Sequence, residues 1–320
     1  MNLTSPVYVA GHRGLAGSAI ARALEAQGYR KVLMRTHAEL DLEDQATTLA
    51  FFEEQRPEIV FLAAARVGGI VANSTYPVDF LLRNLRIEMN VIEAAHATGV
   101  RRLIFLGSSC IYPRDCQQPI KEEYLLTGPL ESTNRPYALA KIAGVEACWA
   151  YNRQYGTRFL AAMPTNLYGS GDNYDLQNSH VLPALIRKAH EAKVAGVETV
   201  AIWGSGSPKR EFLHSDDLAS ALVHLATLDD QHYAQLTRPD VCPLINIGTG
   251  EELTIRELAE LVAQVVGFTG GLEFDRSKPD GTPRKVMAVT KIRELGWVPE
   301  VSLSDGIAHA YRDFLERMPA

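Results

Sequence analysis

The sequence predicts an α/β protein, a doubly wound parallel sheet with a smaller, interleaved C-terminal α/β lobe. Three observations carry that expectation. Short apolar runs alternate with amphipathic stretches through the first half, as in βα units wrapped on a parallel sheet. The run Glu58 to Ala65 is apolar after its first residue, which suits a strand covered on both faces. A chain of 320 residues also holds about two lobes of roughly 150 residues each.

The elements follow in order. Val7 to Ala10 reads as a buried strand, a glycine-rich turn comes next, and Ser18 to Gln27 reads as a helix closed by Gly28. Lys31 to Arg35 is a second strand, Leu40 to Gln55 a helix ended by Pro57, and Glu58 to Ala65 a third strand. Pro77 opens a long amphipathic helix, Val78 to Ala97, and Gly99 stops it. Arg102 to Gly107 is a strand, Ala138 to Tyr155 a helix and Arg158 to Met163 a strand. After Gly169 the pattern changes to a loop, Ser170 to Ser179, and then to short mixed elements. Thr199 to Trp203 and Leu244 to Ile247 read as buried strands, so the chain is expected to return to its first lobe. The expected division is a first lobe of 1–168 with returning segments near 199–225 and 241–250, and a second lobe of 169–198 and 251–320.

Composition excludes several classes. With 46% hydrophobic and 22% charged residues the chain is neither disordered nor fibrous. Its net charge of −6 carries no basic footprint for nucleic acid. The longest apolar stretches fall far short of the roughly 20 residues that span a bilayer. No basic n-region or long apolar h-region leads the sequence, so a cytoplasmic location is expected. The four cysteines, Cys110, Cys116, Cys148 and Cys242, have no CxxC pair and no metal-type spacing; free thiols and no metal are expected.

Gly11, Gly14 and Gly17 form Gly-x-x-Gly-x-x-Gly between a strand and a helix. Glycines there permit a tight turn, let a pyrophosphate approach the backbone and let the helix pack close to the sheet. The helix N-terminus adds free N–H groups and a positive dipole end. The motif in this context predicts a Rossmann-type dinucleotide site. The second strand ends in Arg35, and Arg13 lies in the turn; arginine suits a ribose 2′-phosphate, so NADP(H) is favoured. Glu39 and Asp41 nearby argue the other way.

Tyr137 and Lys141, four apart at the start of a helix, share one face. An ammonium there is expected to draw the phenol's pKa down from about 10 towards neutrality, where it exchanges a proton with a carbonyl or alcohol. Ser108 ends a sheet strand in the crevice where open α/β sheets bind ligands, placed to hold a substrate carbonyl. Ser109 competes with it, since spacing cannot rank adjacent hydroxyls.

These motifs, with Leu106-Gly-Ser-Ser-Cys-Ile-Tyr-Pro113, resemble the extended short-chain dehydrogenase/reductases. More narrowly, Gly11-His-Arg-Gly-Leu-Ala-Gly-Ser18, Pro164-Thr-Asn-Leu-Tyr-Gly169, the segment Asn178 to Lys188, Trp203-Gly-Ser-Gly206 and Arg210-Glu-Phe-Leu-His-Ser-Asp-Asp217 resemble the GDP-L-fucose synthase family across essentially the whole chain. The resemblance implies a GDP-4-keto-6-deoxy-D-mannose substrate, epimerised at C3 and C5 and then reduced at C4 by NADPH to GDP-L-fucose. It implies Tyr137, Lys141 and Ser108 as the reductase set, Cys110 as the epimerase base and His180 as the opposing acid. Taken alone, Cys110 reads as a small buried hydrophobe and His180 as a helix-start residue.

By the same resemblance, Gly11, Arg13, Gly14, Leu15, Gly17, Arg35, Ala63, Ala64, Lys141, Pro164, Asn166, Leu167 and His180 would line the cofactor. Ser108, Ser109, Asn166, Lys188, Trp203, Arg210 and Lys285 would meet the substrate. Lys188 stands where arginine is expected, with Arg187 beside it, and lysine lacks the bidentate fork. The helices Val78 to Ala97 and Ala138 to Tyr155 would pair across a homodimer axis. A GDP-colitose-type enzyme, a C4 reductase without epimerisation and a non-catalytic NADP-binding sensor are the alternatives; a sensor has no need of Ser108, Tyr137 and Lys141.

Overall fold

A computed structural model describes residues 2–176, 178–278 and 280–317. The chain opens as strand β1 (Val7–Ala10), helix α1 (Leu15–Ala26), β2 (Val32–Leu33), α2 (Gln45–Gln55) and β3 (Ile59–Leu62). α3 (Ile70–Thr75), α4 (Pro77–Ala97), β4 (Arg102–Leu106), α5 (Arg135–Tyr155), β5 (Phe159–Pro164) and β6 (Asn166–Tyr168) follow. The rest comprises α6 (Val181–Ala195), β7 (Thr199–Trp203), β8 (Lys209–Arg210), β9 (Phe212–His214), α7 (Ser215–Thr227), α8 (Asp230–Leu236) and β10 (Leu244–Ile247). It ends with β11 (Leu253–Thr254), α9 (Ile255–Val266), β12 (Gly271–Asp275), β13 (Arg284–Lys285), α10 (Thr290–Glu294) and α11 (Leu303–Arg317).

Six parallel strands form the main sheet in the order β10-β5-β4-β3-β1-β2. The chain leaves β1 for β2 on one side and returns to β3 on the other, so the order reverses at β1 and opens a crevice at the strand ends. β1, β3 and β5 are buried along their whole length, as expected for strands covered by helices on both faces. α4 packs on α5 and α2, and α1 packs on α7.

Several boundaries differ from the sequence expectation. Leu40 and Leu42 do not start a helix: both are buried while Asp41 between them is not, the alternation of extended chain. The helix begins later because Asp44 caps it, its carboxylate accepting from the Thr47 N–H at 2.8 Å. The second strand is only Val32–Leu33 and stops short of Arg35.

The interleaving is also finer than expected. β7 does not return to the first lobe: it pairs with β12 in a two-stranded sheet, and its residues alternate exposed and buried. The element of 199–225 that does return is α7, with β10 after it at the sheet edge. Within 251–320, Met287, Val289, Ile292 and Trp297 belong to the first hydrophobic core. The second core gathers α6, α9 and α11 with Val200, Ile202 and Phe212. A chain that crosses between cores this often builds its cleft from both.

Candidate active site

Gly11 (φ +83°) makes the turn after β1 and lies against the end of β3, where an added Cβ would stand 2.7 Å from the Ala64 Cα and 2.9 Å from the Ala63 carbonyl carbon. A Cβ on Gly17 would overlap the Gly11 carbonyl oxygen, so α1 packs this close only with glycine there. Gly14 is the N-cap of α1, Leu15 its first residue; no side chain caps it and no acidic residue occupies its first turn. Those free N–H groups at the crevice fit a pyrophosphate, so the residues present suit a dinucleotide.

Arg13 and Arg35 converge beyond this turn. The Glu39 carboxylate accepts hydrogen bonds from the Thr36 N–H and hydroxyl, both 2.8 Å, and these chiefly lower its pKa, with the charges of Arg35 and then Arg13 adding to the effect. The acidic residue that argued for a free ribose 2′-hydroxyl is thus engaged by its own turn. The Arg35 guanidinium donates to the Met34 carbonyl oxygen at 2.8 Å and lies 5.5 Å from the Phe51 ring.

At the next strand end, β4 runs into the turn Ser109–Ile111, and Ser108 accepts from the Cys110 N–H at 3.4 Å. Tyr137 enters from α5 and shares a hydrogen bond with Ser108. Lys141, one turn on, is 1% exposed; its Nζ donates to the Leu106 carbonyl oxygen at 3.0 Å, lies 3.1 Å from a Glu88 carboxylate oxygen and 5.8 Å from the Tyr137 ring. One expectation is overturned here. Tyr137 is not drawn towards neutrality: burial raises its pKa well above the ordinary value, the charges of Cys110 and Glu88 push the same way, and only the Ser108 hydrogen bond opposes. Glu88, fully buried on α4, offsets the ammonium that was to acidify the phenol. The resting phenol therefore keeps its proton near neutral pH.

Cys110 is 8% exposed, and burial raises its thiol pKa against the pull of Lys285, Ser108 and Lys141. Lys285 comes from β13, whose register sets it opposite Arg210 of β8. Arg210 donates to the Thr282 carbonyl oxygen at 2.6 Å. Ser109, Cys110, Asn134 and Lys285 line one cavity. His180 is the N-cap of α6, exposed at this cleft; partial desolvation and then Lys285 lower its pKa, so its imidazole is mostly neutral near pH 7.

The remaining residues sit as follows. Pro164 closes β5, and Asn166 and Leu167 start β6, with the Asn166 amide donating to the Glu211 carbonyl oxygen at 2.8 Å. Trp203 is 62% exposed and has the ammoniums of Lys188 and Lys278 each 5.6 Å from its ring. Arg187 is occupied elsewhere, with Glu191 at 2.7 Å and the Tyr174 carbonyl oxygen at 3.1 Å. Between the two neighbours it is Lys188 that faces the indole.

Sequence reasoning missed Glu88, Lys278 and the buried Glu211, whose carboxylate takes the Gly250 and Met287 N–H groups at 2.8 and 2.7 Å. For Glu88 a signal was available: Phe80, Asn84 and Glu88 fall on the apolar stripe of α4 at a spacing of four, where a carboxylate needs a buried partner.

The model of the NAD dependent epimerase/dehydratase family matches residues 7–236. The chain is 55% identical to GDP-L-fucose synthase 1 of Arabidopsis thaliana over 98% of its own length and 94% of the relative's. It is 53% identical to GDP-L-fucose synthase of Escherichia coli strain K12, covering 97% and 96%. Its structure superposes on a GDP-D-glycero-L-gluco-heptose synthase from Campylobacter jejuni, solved in the presence of NADPH, with a TM-score of 0.91 at 38% identity, covering 98% and 99%. The chain belongs to the NAD dependent epimerase/dehydratase family, on the branch that holds the GDP-L-fucose synthases.

Proposed function

We propose that the chain carries GDP-L-fucose synthase activity: it epimerises GDP-4-keto-6-deoxy-D-mannose at C3 and C5, then reduces C4 with NADPH. The observation that carries this reading is the meeting of a proton-donating pair, Ser108 and Tyr137, with a second proton-transfer group, Cys110, at one strand end beside Lys285. A C4 reductase alone has no use for the thiol.

The chemistry follows from those positions. A 4-keto group acidifies the hydrogens at C3 and C5, so a base on one ring face and an acid on the other invert each centre through an enolate. Cys110 removes the proton as thiolate; its raised pKa makes that thiolate scarce but strongly basic. His180 returns a proton from the opposite side. Ser108 and Tyr137 hold the oxygen on C4 through both inversions, so one oxyanion site serves every step. NADPH, when bound, supplies hydride to C4. Tyr137 then gives its proton to the C4 oxygen, and its high pKa ensures that the proton is present.

Gly11, Arg13, Gly14, Leu15, Gly17, Arg35, Ala63, Ala64, Lys141, Pro164, Asn166 and Leu167 would hold the cofactor. Lys188, Arg210 and Lys285 would meet the diphosphate or sugar, and Trp203 the guanine, where base stacking on an exposed indole gains area. Exposed Val78, Leu82, Leu139 and Tyr155 on α4 and α5 support a homodimer through those helices. Four unpaired cysteines suit a reducing cytoplasm, and among the described residues no helix is long and apolar enough to cross a membrane.

The test is NADPH oxidation on addition of the 4-keto-6-deoxy sugar nucleotide, with the product identified by NMR. GDP-L-fucose supports the reading; no oxidation at micromolar enzyme removes it. Light scattering at the same concentration should give twice the monomer mass, and a monomer mass would remove the dimer.

A further inference from the structure

The Glu88 to Lys141 pair is sealed more completely than a surface helix contact requires. Both side chains are at most 2% exposed, the ammonium and carboxylate are 3.1 Å apart, and among the described residues no partner other than Lys141 meets the Glu88 oxygens. The seal is built into α5: a Cβ on Gly144 would overlap the Phe105 ring and come within 3.0 Å of the second Glu88 oxygen. The Lys141 ammonium also lies 4.6 Å from the Phe105 ring. Two helices and a strand therefore close on one buried ion pair, placed behind the proton donor.

We propose that Glu88 is a positioning residue that fixes the charge state of the Tyr137 and Lys141 pair: its carboxylate anchors the ammonium and keeps both protons on the pair at the pH where Tyr137 must donate. This rests on Tyr137 acting as the proton donor of the proposed reduction. The ionisable groups around the pair are Glu88 from α4, Cys148 from α5, Cys110 beside Ser108, and Lys285 beyond Cys110. Glu88 is the carboxylate in contact with the ammonium. Without it the pair would carry an uncompensated positive charge in a dry site, and its first proton would leave at lower pH, whether from the ammonium or from the phenol. The same anion adds to the burial that chiefly keeps the Tyr137 phenol protonated in the resting enzyme.

Glu88→Gln and Glu88→Asp should be compared with wild type in two measurements. The first is the pH profile of kcat/KM for sugar-nucleotide reduction. The second is NMR titration of protein labelled with ¹³C in lysine and tyrosine, the two signals assigned by their loss in Lys141→Arg and Tyr137→Phe. For Glu88→Gln, the basic limb and the first titration of the pair should both move to lower pH by about one unit or more, with KM for the sugar nucleotide unchanged. Glu88→Asp should restore both. Superposition of the Glu88→Gln curves on wild type would overturn the proposal. So would an equal loss of rate at every pH with unchanged titrations, the mark of a merely structural residue. If wild type does not turn the sugar over, the functional reading fails, while the NMR titration still decides the role of Glu88.

Discussion

Cys110 and Tyr137 sit two positions and one hydrogen bond away from the same serine, yet the site asks opposite things of them. In the proposed mechanism Tyr137 holds a proton and Cys110 loses one, and burial raises both groups. That suits the phenol at rest and leaves the thiolate to the field of Lys285 and Lys141. Replacing Cys110 with Ser is expected to cut deuterium uptake at C3 and C5 from D₂O by about 10² to 10⁴-fold, the range of a lost acid–base group. Uptake at the wild-type rate would assign the base elsewhere. Tyr137→Phe should lower kcat for reduction by a similar factor, about 10² to 10⁴-fold, with far-ultraviolet circular dichroism unchanged. For His180 the lowered pKa gives a direction: its cationic fraction grows as pH falls, so the step in which it donates should accelerate on acidification, and His180→Asn should remove that dependence.

The residues of this site were partly legible because chemistry constrains their spacing. Tyr137 and Lys141 need one helix face, and Ser108 needs a strand end; both requirements show in the sequence. The error over the Tyr137 pKa arose because pairing within a helix is visible in sequence, whereas the burial that chiefly raises the phenol, and the charges of Cys110 and Glu88 that add to it, are not. Glu88 is 53 positions from Lys141 and reaches it only because α4 and α5 pack. Register between distant strands was equally hidden, so the approach of Lys285 to Arg210 and Cys110 had no local signal.

At the scale of elements, the glycine turn and α1 form the cofactor end of the crevice in the proposed function. A Cβ on Gly17 meets the Gly11 carbonyl oxygen head-on, which must push α1 off the turn. Gly17→Ala should therefore weaken NADPH binding by at least about tenfold, equivalent to roughly 1.4 kcal/mol, by fluorescence titration. An unchanged Kd would show that the turn does not carry the pyrophosphate. Most elements were readable from periodicity and punctuation, as with Pro77 opening α4 and Gly99 ending it. The 40–44 segment was misread: Leu40 and Leu42, two positions apart, fit alternation and not a helical stripe, and Asp44 starts the helix by capping it. β7 misled because an apolar run does not reveal which sheet receives it.

The whole molecule is two cores threaded by one chain, and its net charge of −6 conceals two local concentrations of positive charge. Arg13 and Arg35 stand at one end of the crevice; Lys188, Lys278, Arg210 and Lys285 stand along the other. The two diphosphate-bearing ligands of the proposed reaction would need that separation. Replacing Arg13 and Arg35 together with Ala should raise KM for NADPH at least about tenfold and leave KM for NADH nearly unchanged. An equal rise for both cofactors would mean that the arginines do not read the 2′-phosphate.

The central claim is that one oxyanion site performs both inversions and the reduction. It is tested most directly by running the complete reaction in D₂O with unlabelled NADPH and locating deuterium in the product by NMR. The expected product is GDP-L-fucose with deuterium at C3 and C5 and protium at C4. A reduced sugar with protium at C3 and C5 would contradict the claim and leave a C4 reductase.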